Sequence, residues 1–135
     1  MATLFTRIIR GEIPSYKLHE DEHTYSFLAR DVIQPGHLLI VPKVEADHFL
    51  DVPEPHYSAV FRNARLLGKA LQASTGCKRV GSMIAGWDVP HFHLHVVPMW
   101  DPSDLSFSKA RVLEKDQYLA AQKGLLEALA LLARE

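Results

Sequence analysis

The sequence predicts an α+β domain, a mostly antiparallel five-stranded sheet with a long central helix and a C-terminal helix packed on one side. Three observations carry this. Hydrophobic periods run in the order short helix, three strands, helix, two strands, helix. Few connections between strands are long enough for a parallel crossover. His37-Leu38-Leu39-Ile40-Val41-Pro42 is almost continuously apolar, as a central strand covered on both faces should be.

Leu4, Phe5, Ile8 and Ile9 recur at helical spacing, and Gly11 and Pro14 stop the helix they predict. Tyr16 to Glu20 reads as a strand, Glu20-Asp21-Glu22 as a polar turn, and Thr24 to Ala29 as a second strand rich in Tyr25, Phe27 and Leu28. Asp31 to Gly36 is a loop with Pro35-Gly36 as its turn signal, and His37 opens the central strand. Pro53-Glu54-Pro55 prepares a long helix. Tyr57, Val60, Phe61, Ala64, Leu67 and Leu71 give that helix its apolar stripe, and Gly76 closes it. Arg62, Arg65 and Lys69 read as its solvated face. Val80 to Ala85 is a fourth strand, and Gly86 to Pro90 links it tightly to a fifth. Asp101 to Ser108 reads as a loop. Tyr118, Leu119, Gln122, Leu125, Leu126, Leu129 and Leu132 mark a last helix, weakened by Gly124.

The totals set bounds. At 135 residues, residues 1–135 are expected to form a single domain with a sizeable core. A net charge of -1 provides no basic field for a nucleic-acid polymer. The one cysteine, Cys77, allows neither an internal disulfide nor a Cys-rich zinc site, and fits a reducing, cytoplasmic setting. No targeting segment is visible, and the apolar tract Leu125 to Ala133 is too short to span a membrane.

The informative stretch is His91-Phe92-His93-Leu94-His95-Val96-Val97. On a strand, side chains alternate between faces, so His91, His93 and His95 should line one face about 6.5 Å apart, with Phe92, Leu94 and Val96 on a core. Histidine serves as metal ligand, acid–base or nucleophile. Three alternating ligands from one straight strand fit poorly around a tetrahedral ion, although two of them with His37 or Asp88 could. Phosphoryl chemistry suits the spacing better. A neutral middle imidazole attacks phosphorus, its other nitrogen held by an acceptor, while a neighbouring ring binds phosphoryl oxygens. His19, His23, His48 and His56 read as surface or structural residues, and Cys77 as packing near a helix end.

His91 to Val97 resembles at every position the signature of the histidine triad family, His-φ-His-φ-His-φ-φ with φ apolar. Phe5 to Pro14 resembles that family's opening helix and turn, and Phe27-Leu28 and Pro35 to Lys43 resemble its central hairpin. From about Pro102 onward no likeness is clear. The resemblance implies the HIT-like fold, a homodimer, and nucleotide hydrolysis or transfer; no cofactor is expected. Substrates would be nucleoside phosphoramidates or dinucleoside polyphosphates. It also implies that His93 is the nucleophile, forming a nucleotidyl-histidine, with His95 on the phosphate and His91 and His37 in support. Phe27, Asp31, Trp87 and Asp88 would fall along the substrate pocket.

The chain departs from the family pattern at three places. Thr3 and Thr6 stand where many members carry zinc-binding cysteines, so no zinc is expected. Ala29 stands at the usual ribose-binding Asp, with Asp31 two residues on. Trp87-Asp88 replaces a common Gln-Ser or Gln-Thr pair. Asp88 would repel a phosphate unless protonated or paired, or would pair with an imidazole and raise its pKa. Trp87 would stack on a base or, more commonly, plug a gap. Two further readings stay open: a nucleotide-binding module with little turnover, and a metal-dependent hydrolase.

Overall fold

A computed structural model describes residues 1–134. Helix α1 spans Leu4–Ile9, started by the Thr3 side chain, which accepts from the Thr6 N–H. Strands β1 (Lys17–Glu20), β2 (Thr24–Leu28), β3 (Asp31–Val32) and β4 (Leu38–Pro42) follow, then helix α2 (His56–Thr75). After these come β5 (Arg79–Met83), β6 (Leu94–Met99), β7 (Arg111–Val112) and α3 (Lys115–Leu132). Five strands form an antiparallel sheet in the order β1-β2-β4-β6-β5. This is the predicted architecture, with the apolar His37–Pro42 stretch supplying the middle strand.

Register decides what each face carries. Phe27 pairs with Leu39, and Leu39 with His95, so these three share one face. Leu38, Ile40, Leu94 and Val96 point to the other face and are buried in the core, where α2 lies. Gly76, at φ 71, ends α2 in the left-handed conformation, as expected of a glycine just past the last apolar turn. Buried Cys77 follows it. Helix α3 rests on α2 and β1. At Gly124, which weakens the helix, α3 runs close to α2: a Cβ there would lie 3.1 Å from Ser74 Oγ. Tyr16 and Tyr118 stack at 4.9 Å, tying α3 to the chain leading into β1.

Three expectations need correction. The helices do not all pack on one side. Phe5 of α1 meets Phe27 at 5.7 Å and His93 at 4.9 Å between ring centroids, so α1 covers the face opposite α2. The histidine strand begins at Leu94, not His91. The Phe92 N–H donates to the Ala46 carbonyl at 2.7 Å and the His91 N–H to the Val89 carbonyl at 2.8 Å, a turn that occupies the groups a ladder would use. Finally, Asp101 to Ser108 is not simply a loop. It holds short 3-10 turns at Pro102–Asp104 and Phe107–Lys109, and then leads into β7, which pairs with β3.

Candidate active site

The face shared by Phe27, Leu39 and His95 opens into a cleft of about 1110 Å³ between α1, β2, the Gly86–Pro90 bend and the turn at Phe107. Its lining includes the apolar residues Phe5, Ile8 and Ile13 of the N-terminal segment. His93 and His95 line it, with ring centroids 5.0 Å apart. The alternation therefore survives where it matters, since Phe92, Leu94 and Val96 lie in the core behind.

The backbone fixes the protons on these rings. The Ile33 N–H donates to His37 Nδ1 at 3.0 Å. A backbone N–H can only donate, so that nitrogen is bare and His37 carries its proton on Nε2. His37 Nε2 lies 2.9 Å from His95 Nδ1 and donates to it. His95 therefore carries its own proton on Nε2, the nitrogen left free for a ligand in the cleft. In His93 the logic runs the other way. Its Nδ1 donates to the His91 carbonyl at 2.8 Å, leaving a lone pair on Nε2. Adjacent rings thus present one electron pair and one N–H.

All four rings of the cluster are held neutral. Burial lowers His37 to about 4 and His95 to about 3, and the neighbouring imidazoles push His95 further the same way. Burial also lowers His93 and His91. Phe5 packs edge-on against His93, and the ring of Phe107 meets His95 at 4.9 Å.

His91 is fully buried and does not line the cleft. It shares the Phe5 contact with His93 at 5.7 Å, but the N-terminal segment covers it. Its Nε2 donates to the Pro42 carbonyl at 2.8 Å, so Nδ1 is bare and accepts from the Thr3 hydroxyl at 2.7 Å. Thr3 therefore caps α1 and anchors the residue whose carbonyl orients His93.

The expected pocket residues Phe27, Asp31, Trp87 and Asp88 all line the cleft, as does Ala29 at the usual position of the ribose acid. Trp87 is 93% exposed and plugs no gap. Two participants were not expected. Phe107 lies in a Ser/Asp-rich stretch whose composition points to surface, and Thr3 lies 88 residues from His91. His48 is exposed and accepts from the Leu50 N–H, while His23 and His56 meet edge to face at 4.9 Å, away from the cleft.

A five-stranded antiparallel sheet presenting a lone-pair imidazole beside a donor imidazole, with two more histidines behind, defines a histidine triad protein. The chain belongs to that family: the HIT domain matches residues 10–101. It is 31% identical over 126 residues to adenosine 5'-monophosphoramidase HNT1 of Saccharomyces cerevisiae, covering 85% of this chain and 80% of that protein. With the Candida albicans protein of the same name it shares 34% over 107 residues, 73% of this chain and 70% of that one. Among solved structures, a zinc-bound histidine triad family protein from Mycobacterium smegmatis superposes with a TM-score of 0.85 at 25% identity, covering 99% and 97% of the two chains. A histidine triad nucleotide-binding protein from Sulfolobus tokodaii gives 0.85 at 24% identity, covering 96% and 93%.

The donor set here does not fit zinc. Among the described residues no three His, Cys, Asp or Glu side chains converge as metal ligands, and the free nitrogen of His91 is taken by the Thr3 hydroxyl.

Proposed function

We propose that this chain is a nucleotide hydrolase acting at the α-phosphorus of a nucleoside phosphoramidate or dinucleoside polyphosphate, through a nucleotidyl intermediate on His93. The observation that carries this is the 2.8 Å bond from His93 Nδ1 to the His91 carbonyl, which aims a lone pair on Nε2 into the cleft. That nitrogen attacks phosphorus, and the bond from phosphorus to the leaving group breaks. The leaving atom keeps the bonding pair and takes a proton from solvent. The ring, now bonded at both nitrogens, is cationic, and the His91 carbonyl accepts its Nδ1–H. His95 Nε2–H donates to a phosphoryl oxygen throughout. Water then adds its hydroxyl to phosphorus, its other proton goes to solvent, and the bond from phosphorus to His93 Nε2 breaks with the lone pair restored to the ring. The products are a nucleoside monophosphate and the leaving group. The apolar lining at Phe5, Ile8 and Ile13 suits a base, and Asp31 is the acid nearest in sequence to Ala29 for ribose hydroxyls. The adenosine 5'-monophosphoramidase names of the two yeast relatives support the same reading.

Incubation with adenosine phosphoramidate should release AMP, and a nucleotidyl adduct should be trapped on His93. Activity that survives His93→Ala removes the covalent route. Nucleotide binding without turnover across both substrate classes would instead select a binding module, a reading that Asp88 beside the attacking ring favours.

The homodimer is also a proposal. Among the described residues β5 pairs only with β6, leaving its outer edge open. Tyr57, Phe61 and Ile84 expose apolar surface on α2 and just past β5. A second copy joined there would extend the sheet. Light scattering at micromolar concentration should give twice the 15.2 kDa chain mass.

A further inference from the structure

The cleft is poor in positive charge. Among its described lining residues Arg30 is the one cation, set against Asp31 and Asp88. Its two imidazoles, His93 and His95, are neutral near pH 7, because burial lowers both. The chain does not lack cations. Arg65, Lys69, Lys78 and Arg79 line a separate groove between α2 and β5, on the other side of the sheet. Sites that hold polyphosphates gather Arg and Lys around the oxygens. In this cleft a polyphosphate leaving group would meet Asp88 instead.

The Gly86–Pro90 bend places Trp87 and Asp88 in the cleft with His93. The Trp87 indole is 93% exposed, and among the described residues it stacks on no other ring and takes no cation. Asp88 forms no ion pair among the described residues. It lines the cleft together with His93, and its charge bears on that ring. An aromatic face beside a carboxylate is the pairing that holds an ammonium ion: the ring quadrupole attracts the charge and the carboxylate accepts its N–H bonds.

We propose that Trp87 and Asp88 form a leaving-group subsite for a primary ammonium group. The preferred substrates would then be nucleoside phosphoramidates whose leaving amine carries a second, free amino group, and not nucleoside polyphosphates. This rests on the reading of the cleft as a phosphoramidate hydrolase site. It gives the replaced Gln-Ser/Thr positions a role, because the substrate then brings the cation that the cleft does not supply.

Two ligands of similar size test it, the adenosine 5'-phosphoramidates of ethylenediamine and of propylamine. The first carries a free ammonium and the second ends in a methyl group. Calorimetry on His93→Ala, which cannot turn them over, should show the ammonium ligand binding roughly tenfold tighter. Asp88→Asn in that background should bring the ratio close to one, and Trp87→Leu should lower it in part. Equal affinity for the two ligands, or a ratio that survives Asp88→Asn, overturns the subsite, as does failure of both to bind. Turnover by the unsubstituted chain separates the subsite from the reading beneath it. AMP release from both ligands at equal kcat/KM and equal affinity removes the subsite and keeps the hydrolase. A preserved affinity ratio without AMP release removes the hydrolase and keeps the subsite.

Discussion

His37 and His95 share a 2.9 Å hydrogen bond whose direction is set outside both rings, by the backbone N–H of Ile33. That N–H leaves His37 only Nε2 on which to carry a proton, and His95 then carries its own proton toward the cleft. Replacing His37 by Phe removes the donor and frees His95 to adopt the other tautomer. The expected result is a fall in kcat on the order of 10–100-fold, as for loss of a partner that orients a catalytic ring. Steady-state kinetics on adenosine phosphoramidate measure it. A kcat within twofold of the parent would show that the bond has no part in turnover.

The same pair makes stability depend on pH. His37 titrates near 4 when folded, against 6.5 for a free histidine. Between those values the unfolded chain binds more protons than the folded one, so stability falls as pH drops through that window and is flat above it. His37 alone contributes on the order of 3 kcal/mol by pH 4, and His95, lower still, adds in the same direction. Urea midpoints measured from pH 8 to 4.5 should be level down to about 6.5 and then decline. His37→Phe should flatten part of that decline.

Activity should show a related but separate limb. The proposed attack by His93 requires a neutral ring, and burial lowers its pKa from 6.5. The acid limb of kcat/KM is therefore expected below pH 6.5, with a plateau from there to pH 8. A limb centred above 6.5 would place a different group, or a differently solvated His93, in control.

Thr3 should matter beyond the helix it starts. Thr3→Val removes both the cap and the donor to His91 Nδ1. The expected cost is about 1–2 kcal/mol in stability, with a fall in kcat because the His91 carbonyl loses its anchor. Thr3→Ser keeps the hydroxyl and should restore both. Recovery of stability without recovery of kcat would confine Thr3 to capping.

The readable parts of the sequence were those where local pattern and three-dimensional environment coincide. The continuous apolar run to Pro42 could only be a covered strand, and the alternation from Phe92 to Val96 put His93 and His95 on the side away from the core. Contacts made by residues far apart were not readable. The period of Leu4, Phe5, Ile8 and Ile9 marks a helix with an apolar face but does not say which side of the sheet receives it. The start of β6 is not legible, because the alternation continues through His91 while the Phe92 N–H is taken by Ala46 from a distant loop. β3 and β7 pair over two residues each, too short for any period to register. Phe107 lay hidden among serines.

The matched family segment ends at residue 101, yet the chain beyond it reaches back to the histidine cluster. Arg111 donates to the carbonyl of Ile33 at 3.2 Å, and β7 clips onto β3 just before it. Ile33 is the residue whose N–H decides how His37 holds its proton. A truncation at the domain border would keep all four histidines and still remove the peg that steadies them. For swapping or minimising such a protein, the smallest transplantable piece is therefore longer than its signature.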